Sequence, residues 1–392
     1  MIPRFLTSTL KDSIGSMPVT TVLGPRQSGK TTLVKSVLPE WGYVNLENPM
    51  ERRLAETDPR LFFSQHPTPL IIDEVQRVPE LLSWIQVSVD ESGQNGQYVL
   101  TGSHQPLLRA GITQSLAGRT SVLTLWPLSM AELIAAGYSY SRDEWIHRGF
   151  LPRLFQAGIS PARLYGDYYR TYVERDVCQL IEIGNRSAFE TFLQLLAGRI
   201  GQVVNCESLA GDVGVSAPTL RKWLSVLEAS YIVFRLPPYY NNFGKRFVKS
   251  PKIYFTDVGL ASYLLRIGSP AQIARDPLLG GLFENLVVAE AWKWKYNTGA
   301  LADFYFIRDN NGLEIDLVME VARKLHLFEV KSAMTPDLDM GKNMRRLRKG
   351  VPDIGSSTVV YSGDDWPLPP DDVFLPFWKL SQHLEQKAHA TS

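Results

Sequence analysis

One eight-residue stretch restricts the fold of this chain more than any other, a glycine-rich turn between a strand pattern and a helix pattern. The β-branched run Val19–Leu23 is followed by Gly-Pro-Arg-Gln-Ser-Gly-Lys-Thr from Gly24 to Thr31, and a helical run covers 32–38. This is the spacing of a phosphate-binding loop, whose glycines let successive backbone N–H groups point at phosphate oxygens. We therefore predict an α/β doubly wound sheet with a nucleotide site at the carboxyl ends of its strands.

Each residue type in this loop has a role in binding ATP and Mg²⁺. Lys30 adds a positive charge beside the β- and γ-phosphates and is a candidate catalytic residue, while the hydroxyl of Thr31 is a candidate Mg²⁺ ligand. The new helix also presents its positive end to the phosphates. The predicted nucleotide-binding residues are Gly24, Pro25, Arg26, Gln27, Ser28, Gly29, Lys30, Thr31, Thr32 and Ser103.

A second motif, a pair of acidic residues, lies about forty residues downstream of the loop. The apolar run Pro69–Ile72 reads as a buried parallel strand, and it ends in the two carboxylates Asp73 and Glu74. In P-loop ATPases the first acid orients Mg²⁺ through its water, and the second polarises the attacking water. We assign Asp73 to the metal and Glu74 to catalysis on this basis.

Three further residues are candidates around the same site. Thr101 ends a third strand, 97–101, and Ser103 follows it; both could sense the γ-phosphate, or could simply satisfy backbone groups in a turn. Arg119 precedes the last strand, 120–125, and could neutralise transition-state charge in its own subunit or in a neighbour. A surface arginine explains Arg119 nearly as well.

Composition limits the class of protein. The chain has 392 residues with 41 Lys and Arg against 40 Asp and Glu, so any contact with nucleic acid must come from local patches. Its two cysteines exclude a disulfide framework. No stretch approaches the roughly 18 apolar residues of a membrane span, and the start resembles no signal peptide. We expect a soluble cytoplasmic protein without a membrane partner.

The middle of the chain is predicted to be helical and then to form a winged helix-turn-helix. A tyrosine stripe from Tyr165 to Tyr172 at helical spacing is typical of a packing face, with base stacking as the weaker alternative. The helix 217–229 could enter a DNA groove or serve as a protein-interaction module. The stretch 235–252 mixes basic and aromatic residues, which suits DNA, although a solvated loop explains it nearly as well.

Four residues near the C-terminus suggest a second catalytic centre. Glu284 lies on a strong helical pattern, Asp316 follows a hairpin in a strand, and Glu329 and Lys331 end the next strand. Acids from neighbouring strands plus a helix glutamate can hold Mg²⁺, and the lysine can position a water for attack on a phosphodiester. Charged edge strands are also common, so a domain that only binds remains an alternative.

These motifs together resemble a prokaryotic family of AAA-type ATPases with a C-terminal domain of unknown function. The resembling stretches include Gly24–Thr31, 73–76, 100–103, 116–119, 283–285 and 329–331. The resemblance implies an ATPase core, a winged helix and a C-terminal domain like the PD-(D/E)XK nucleases. The nuclease pattern departs from the family in one respect, because Glu314 and Ile315, with no proline, precede Asp316.

We divide the chain into a P-loop ATPase domain (1–135), a helical region (136–187), a winged helix (188–255) and a nuclease-like domain (256–392). The first functional hypothesis is ATP hydrolysis coupled to a DNA-directed, metal-dependent nuclease. The alternative is an ATP-driven switch whose C-terminal domains bind DNA or a protein partner without cleavage. A third hypothesis couples ATP hydrolysis only to self-assembly as a homo-oligomer. ATP and Mg²⁺ are the expected ligands in all three.

Overall fold

The computed structural model describes residues 2–103, 115–156, 158–177, 185–239, 250–310, 312–351, 353–366 and 373–390. The chain forms two compact units. The N-terminal unit comprises residues 1–128 with the short segments 229–231 and 296–299, and the C-terminal unit comprises the rest. None of the helices in the described ranges is long and apolar enough to cross a membrane.

The N-terminal unit alternates strands and helices, as the sequence predicts. Its elements are α1 (Leu6–Ser16), β1 (Val19–Leu23), α2 (Lys30–Val37), β2 (Gly42–Asn45), α3 (Pro49–Thr57), α4 (Pro59–Gln65), β3 (Leu70–Asp73), α5 (Leu81–Ser92), β4 (Tyr98–Gly102) and β5 (Thr120–Thr124). The five strands form one parallel sheet in the order β2-β3-β4-β1-β5.

The three inner strands of this sheet, β1, β3 and β4, are buried along their whole length, whereas the edge strands β2 and β5 are partly exposed. One face packs a core that includes Ile72 and Leu100 against Ile85 of α5. The other face packs Val22 and Val99 against residues of α1 and α2. The strand order places β4 between β1 and β3, so the carboxyl ends of these three strands meet at one edge.

The C-terminal unit begins with helices. These are α6 (Met130–Ala135), α7 (Arg142–Arg148), α8 (Arg153–Gln156), α9 (Pro161–Tyr168), a π-helical segment (Tyr169–Val177), α10 (Arg186–Ala197), α11 (Cys206–Val213) and α12 (Ala217–Ala229). Ser129 and Ser141 begin α6 and α7 as capping boxes with a glutamate three residues on. Of the tyrosine stripe, Tyr165, Tyr168 and Tyr172 are buried, as a packing face requires.

A small two-stranded sheet follows, and then a larger mixed sheet. The elements are β6 (Val233–Leu236), β7 (Lys252–Phe255), α13 (Val258–Leu264), α14 (Pro270–Ile273), α15 (Leu279–Thr298), β8 (Asp303–Arg308), β9 (Glu314–Val321), β10 (Lys324–Lys331), α16 (Lys342–Arg348), β11 (Ile354–Tyr361), β12 (Val373–Pro376) and α17 (Leu380–His389). Strands β6 and β7 are antiparallel.

The larger sheet has the order β12-β11-β10-β9-β8. Strands β8, β9 and β10 are antiparallel neighbours, and the chain then crosses through α16 to place β11 parallel to β10. Phe328 of β10 pairs with Leu317 of β9. One further step of this antiparallel register places Glu329 opposite Asp316. Opposite residues share a sheet face, so these two acids lie side by side.

Candidate functional site

The turn after β1 has the backbone conformation that a phosphate loop needs. Gly24 has φ +146°, and a Cβ there would lie 2.2 Å from the carbonyl oxygen of Leu125. Gly29 has φ 94° and begins α2, where only glycine adopts the left-handed region without strain. The first N–H groups of α2 have no partner within the helix, so they are directed toward the loop.

An arginine from the start of the chain supports this loop. Nη1 of Arg4 donates to the carbonyl oxygen of Ser28 at 2.7 Å, and Nη2 donates to the carbonyl oxygen of Trp126 at 2.7 Å. The guanidinium therefore joins the loop to the segment that leaves β5. Sequence reasoning did not identify Arg4 as a site residue, because nothing local signals a contact between residues 24 positions apart.

The loop lysine is buried and directed at its own loop. Nζ of Lys30 donates to the carbonyl oxygens of Gly24 at 3.0 Å and Pro25 at 2.9 Å. Burial lowers the pKa of Lys30 to about 8, although the neighbouring Glu74 and Asp73 act in the opposite direction. Carbonyl oxygens are weaker partners for an ammonium than phosphates are, so this side chain is poised for an anion.

Three hydroxyl groups converge on the carboxylate of Asp73. The hydroxyls of Thr31 and Tyr43 each donate to Oδ2 at 2.8 Å, and the hydroxyl of Thr101 donates to Oδ1. Burial and the bond to Asp73 raise the pKa of Tyr43. Tyr43 was missed from the sequence because it lies on β2, a strand without a recognised motif. The parallel pairing of β2 with β3 brings it to the acid.

The second acid, Glu74, has an unusual backbone conformation and its own hydrogen-bond donors. Glu74 has φ 57° and ψ 44°, a left-handed conformation that costs energy for a residue other than glycine. Its Oε2 accepts hydrogen bonds from the hydroxyl of Ser103 at 3.2 Å and from the amide of Gln76. The two hydroxyls at the end of β4 therefore bond to carboxylates, Thr101 to Asp73 and Ser103 to Glu74.

The residues of this nucleotide centre, Lys30, Thr31, Asp73, Glu74, Thr101 and Ser103, fit ATP and Mg²⁺. The oxygen donors of Thr31 and Asp73 are the hard ligands that Mg²⁺ prefers. The hydroxyl oxygen of Ser28 is buried in the loop without a hydrogen-bond partner, as expected of a group that meets a ligand.

Arg119 lies far from this centre along its strand. Val19 pairs with Thr120, so Arg119 is at the amino end of β5, whereas the phosphate loop follows the carboxyl end of β1. The five residues of the strand span four steps of about 3.3 Å each, so its two ends are roughly 13 Å apart. The guanidinium forms a two-point ion pair with Asp90, at 2.5 and 2.9 Å. In this arrangement Arg119 does not reach the phosphate site of its own subunit.

The C-terminal unit brings together all four residues of the second predicted centre. Lys331 Nζ lies 2.7 Å from Oε1 of Glu329 and 4.0 Å from Oδ2 of Asp316. The backbone N–H of Val330 donates to Asp316 at 2.8 Å. Glu284 projects from α15 and joins the group through a residue that was not predicted there.

That residue is Lys252, the first residue of β7. Its Nζ lies 2.8 Å from Oε1 of Glu284, 2.7 Å from Oε1 of Glu314 and 3.8 Å from Oδ1 of Asp316. The hydroxyl of Tyr254 also donates to Oε1 of Glu284, at 2.6 Å. We call the group formed by Lys252, Glu284, Glu314, Asp316, Glu329 and Lys331 the C-terminal centre.

Burial dominates the electrostatics of the C-terminal centre. It raises the pKa of Glu329 to about 8, assisted by the negative charge of Asp316. It also raises the pKa of Glu284 to about 7, against the opposing effect of Lys252. Within the described ranges, no group of three or more His, Cys, Asp or Glu side chains is arranged to hold a metal ion. The ammonium of Lys252 already lies among the oxygens of Glu284, Glu314 and Asp316, so the C-terminal centre does not fit a divalent metal in this arrangement.

The stretches read as DNA contacts are partly internal. Trp223 of α12 is buried against Phe189 and Phe192, and Arg221 forms an ion pair with Glu207 at 2.7 Å. In the basic and aromatic stretch, Tyr239 and Lys252 are both buried. Residues 240–249 of that stretch lie outside the described residues. The buried members cannot meet a nucleic acid from these positions.

Three family models match successive parts of the chain. An AAA domain matches residues 16–134, a domain of unknown function (DUF8612) matches residues 140–271, and another domain of unknown function (DUF4143) matches residues 279–380. The first match covers the phosphate loop and the parallel sheet, which confirms the prediction of an AAA-type P-loop domain. The two other matches carry no stated activity.

Two curated proteins align with almost the whole chain. They are uncharacterised proteins of Mycobacterium bovis and Mycobacterium tuberculosis, each 31% identical over 383 residues, which is 95% of this chain and 83% of theirs.

Similar solved structures cover shorter parts of the chain. They include a Walker-type ATPase of Pyrococcus abyssi (17% identity, 67% of this chain and 95% of that one, TM-score 0.44) and the RuvB Holliday junction branch migration motor of Thermotoga maritima (19%, 59% and 89%, 0.30). AMPPCP-bound DnaA of Aquifex aeolicus is a third (13%, 57% and 86%, 0.31).

Proposed function

The chain belongs to the same family as the two mycobacterial proteins, and we propose that its N-terminal unit is a Mg²⁺-dependent ATPase. The observation that carries this proposal is the convergence of Thr31, Tyr43 and Thr101 on Asp73 beside the phosphate loop. Neutral hydroxyls orient the acid and leave its negative charge for a cation. The AAA domain match over the same residues supports the proposal.

The loop binds the phosphates of ATP. The N–H groups at the start of α2 and the ammonium of Lys30 meet the β- and γ-phosphate oxygens. On binding, Lys30 exchanges the carbonyl oxygens of Gly24 and Pro25 for charged phosphate oxygens. Thr31 would bind Mg²⁺ and Asp73 would orient it through a bound water, and the ion would supply charge stabilisation to the phosphate oxygens.

Glu74 orients and deprotonates the attacking water. The water oxygen forms a bond to the γ-phosphorus, the bond to the ADP oxygen breaks, and the water proton passes to the carboxylate. Ser103 and Gln76 fix Glu74 in this role by bonding to the same Oε2. A general base of this kind contributes about 10²- to 10⁴-fold to a reaction rate.

Arg119 has a role only if it acts on a neighbouring subunit. Its ion pair with Asp90 holds it at the opposite edge of the sheet from its own phosphate loop. We therefore propose a homo-oligomer in which Arg119 faces the nucleotide of an adjacent copy. Because ATP is supplied in the cytoplasm, we assign the activity to that compartment.

The test of the ATPase is phosphate release from Mg²⁺-ATP by wild type and Lys30→Ala. We expect a loss of at least about 100-fold, the usual effect of removing one donor from a developing charge. Lys11→Ala is the control, because Lys11 is an exposed lysine on α1. Equal rates in wild type and Lys30→Ala would reject the proposal.

A second candidate function concerns the C-terminal unit. One observation favours a DNA-directed nuclease, namely that Asp316, Glu329 and Lys331 share one sheet face with Glu284 nearby. The three antiparallel strands followed by a helix and a parallel strand also suit a PD-(D/E)XK-like fold. The helices α10–α12 with β6 and β7 suit a winged helix that contacts DNA. ATP hydrolysis would then control this unit.

The alternative is binding of DNA or a protein partner without cleavage. Incubation of labelled single- and double-stranded DNA with Mg²⁺ or Mn²⁺, with and without ATP, separates the two. Cleavage that disappears in Asp316→Ala establishes a nuclease, and its response to Lys30→Ala shows whether ATP controls it. Intact DNA in the presence of ATP hydrolysis favours the non-cleaving switch.

A further inference from the structure

We propose that Lys252 itself supplies the cation of the C-terminal centre, at the position where a metal-dependent nuclease would hold a divalent ion. The inference narrows the second candidate function to its non-cleaving form. The inference rests on the proposed second function, because that proposal supplies the comparison with nucleases. It does not depend on ATP hydrolysis in the N-terminal unit.

The first argument is the convergence of oxygen atoms on the ammonium. Glu284 comes from a helix, whereas Glu314 and Asp316 come from a strand, yet all three place an oxygen within 2.7 to 3.8 Å of Nζ of Lys252. Oxygen ligands surround Mg²⁺ in the same way, at about 2.1 Å. One point between three carboxylates cannot hold both an ammonium and a metal ion.

The second argument is that Lys252 is fixed in place. Its side chain is only 1% exposed, and its backbone is paired with Leu236 in the small sheet. The ring of Phe306 lies 5.5 Å from Nζ, and the hydroxyl of Tyr254 bonds to the same oxygen of Glu284 as the lysine does. A buried ammonium that left these carboxylates would lose its partners without reaching water.

The third argument is charge balance. Lys331 lies against Glu329 on the other side of Asp316, and Arg308 is 3.6 Å from Glu314. The chain thus provides cations for its own acids. A divalent ion that entered would meet two ammonium groups at close range, and like charges in a buried site repel strongly.

The consequence is a centre that keeps the carboxylate and lysine pattern of a nuclease but has no place for the metal. Without a metal to activate a water, the half-exposed Lys331 pairs with the buried Glu329, and this ion pair has a structural function. The C-terminal unit then acts by binding, with an acid cluster whose negative charge is largely offset by Lys252, Lys331 and Arg308.

The experiment measures Mn²⁺ binding by the full chain without nucleotide, from the electron paramagnetic resonance signal of free Mn²⁺. The proteins are wild type, Asp316→Asn, Lys252→Met and the double variant. We expect the same Mn²⁺ isotherm for wild type and Asp316→Asn. Lys252→Met gains one site at least tenfold tighter than any in wild type, and the double variant loses it.

Controls keep the result interpretable. Lys295 lies on the same helix as Glu284 and forms an ion pair with Asp303. We expect Lys295→Met to gain no Mn²⁺ site. Lys252→Gln replaces Lys252→Met if the latter does not fold. The comparison of wild type with Asp316→Asn needs no change at Lys252.

Two outcomes would overturn the proposal. One is Mn²⁺ binding in wild type that Asp316→Asn removes, and the other is a folded Lys252 variant that gains no site. ATP hydrolysis and DNA binding, measured on the same samples, test the proposed function separately. Their absence leaves the metal result unchanged.

Discussion

In the N-terminal unit the central acid, Asp73, accepts hydrogen bonds from three hydroxyl groups, and the nearby Lys30 bonds to carbonyl oxygens instead. In the C-terminal unit the central acid, Asp316, lies between two lysines that are bonded to carboxylates. Both centres contain two or more acids and at least one buried or half-buried lysine. They differ in whether the groups that contact the acid are neutral hydroxyls or charged ammonium groups.

This difference separates a centre whose acid is open to a cation from one whose acids already lie against lysines. Hydroxyl donors orient a carboxylate but leave its charge, so a cation still gains from approaching it. Ammonium donors cancel the charge, and their attraction to the acids must be overcome before a metal can enter. The presence of acids and a lysine on one face therefore does not identify a metal site. Whether such a group can bind a metal depends on which side chains contact each acid.

The largest expected effect tests the catalytic role of the N-terminal acids. Glu74→Gln keeps the shape of the side chain but removes the base, so we expect ATP hydrolysis to fall by about 10²- to 10⁴-fold while ATP still binds. Phosphate release and fluorescent-nucleotide titration measure the two quantities. Glu80→Gln, an exposed acid before α5, is the control and keeps full activity.

The next prediction compares how much Lys252 and Lys30 contribute to the free energy of unfolding. Lys252→Met leaves three carboxylates without their cation, and breaking a buried pair costs about 3–5 kcal/mol of unfolding free energy. Lys30→Met removes a buried charge that bonds only to carbonyl oxygens, so we expect a change within about 1 kcal/mol or a gain. Hydrogen exchange of amides in β9 and in β1 reports each unit separately. Equal losses in both variants would remove the contrast.

A third prediction uses the pKa of Lys30, which burial lowers to about 8 in the nucleotide-free protein. The charged form binds phosphate, so ATP affinity is constant below pH 8 and falls above it by up to about tenfold per pH unit. Affinity measured by calorimetry from pH 7 to 9.5 checks this dependence. Lys30→Arg stays charged throughout and gives a flat profile, whereas a flat profile in wild type would contradict the assignment.

The smallest effect concerns the support of the loop. Arg4→Ala removes charge-assisted bonds from the carbonyl oxygens of Ser28 and Trp126, each worth about 1.5–3 kcal/mol when buried and less at a half-buried site. We expect KM for ATP to rise about three- to tenfold with kcat nearly unchanged. Lys11→Ala, an exposed change on α1, serves as the reference.

Much of the N-terminal unit could be predicted from the sequence because its signals are local. The turn Gly24–Thr31 stands between a strand and a helix, and Asp73 directly ends its strand, so strand order alone brings them together. Tyr43 and Arg4 could not be predicted, because their contacts depend on pairing between β2 and β3 and on how the chain start crosses the sheet.

The C-terminal unit shows the limit of the same reasoning. The sequence places Asp316 on one strand and Glu329 with Lys331 at the end of the next, and these two strands are antiparallel neighbours in the structure. The sequence could not reveal that Lys252, some sixty residues before Asp316, lies between these acids. Within a basic stretch it looked like a solvent-exposed phosphate contact, and only the tertiary packing of β7 against α15 turns it inward.

The stoichiometry of Mn²⁺ in the presence of a non-hydrolysable ATP analogue tests the central contrast most directly. If the two centres differ as described, the full chain binds one Mn²⁺ tightly, Asp73→Asn loses it and Asp316→Asn keeps it. Two tightly bound ions per chain, one of them lost in Asp316→Asn, would show that the C-terminal centre also admits a metal and would contradict the account.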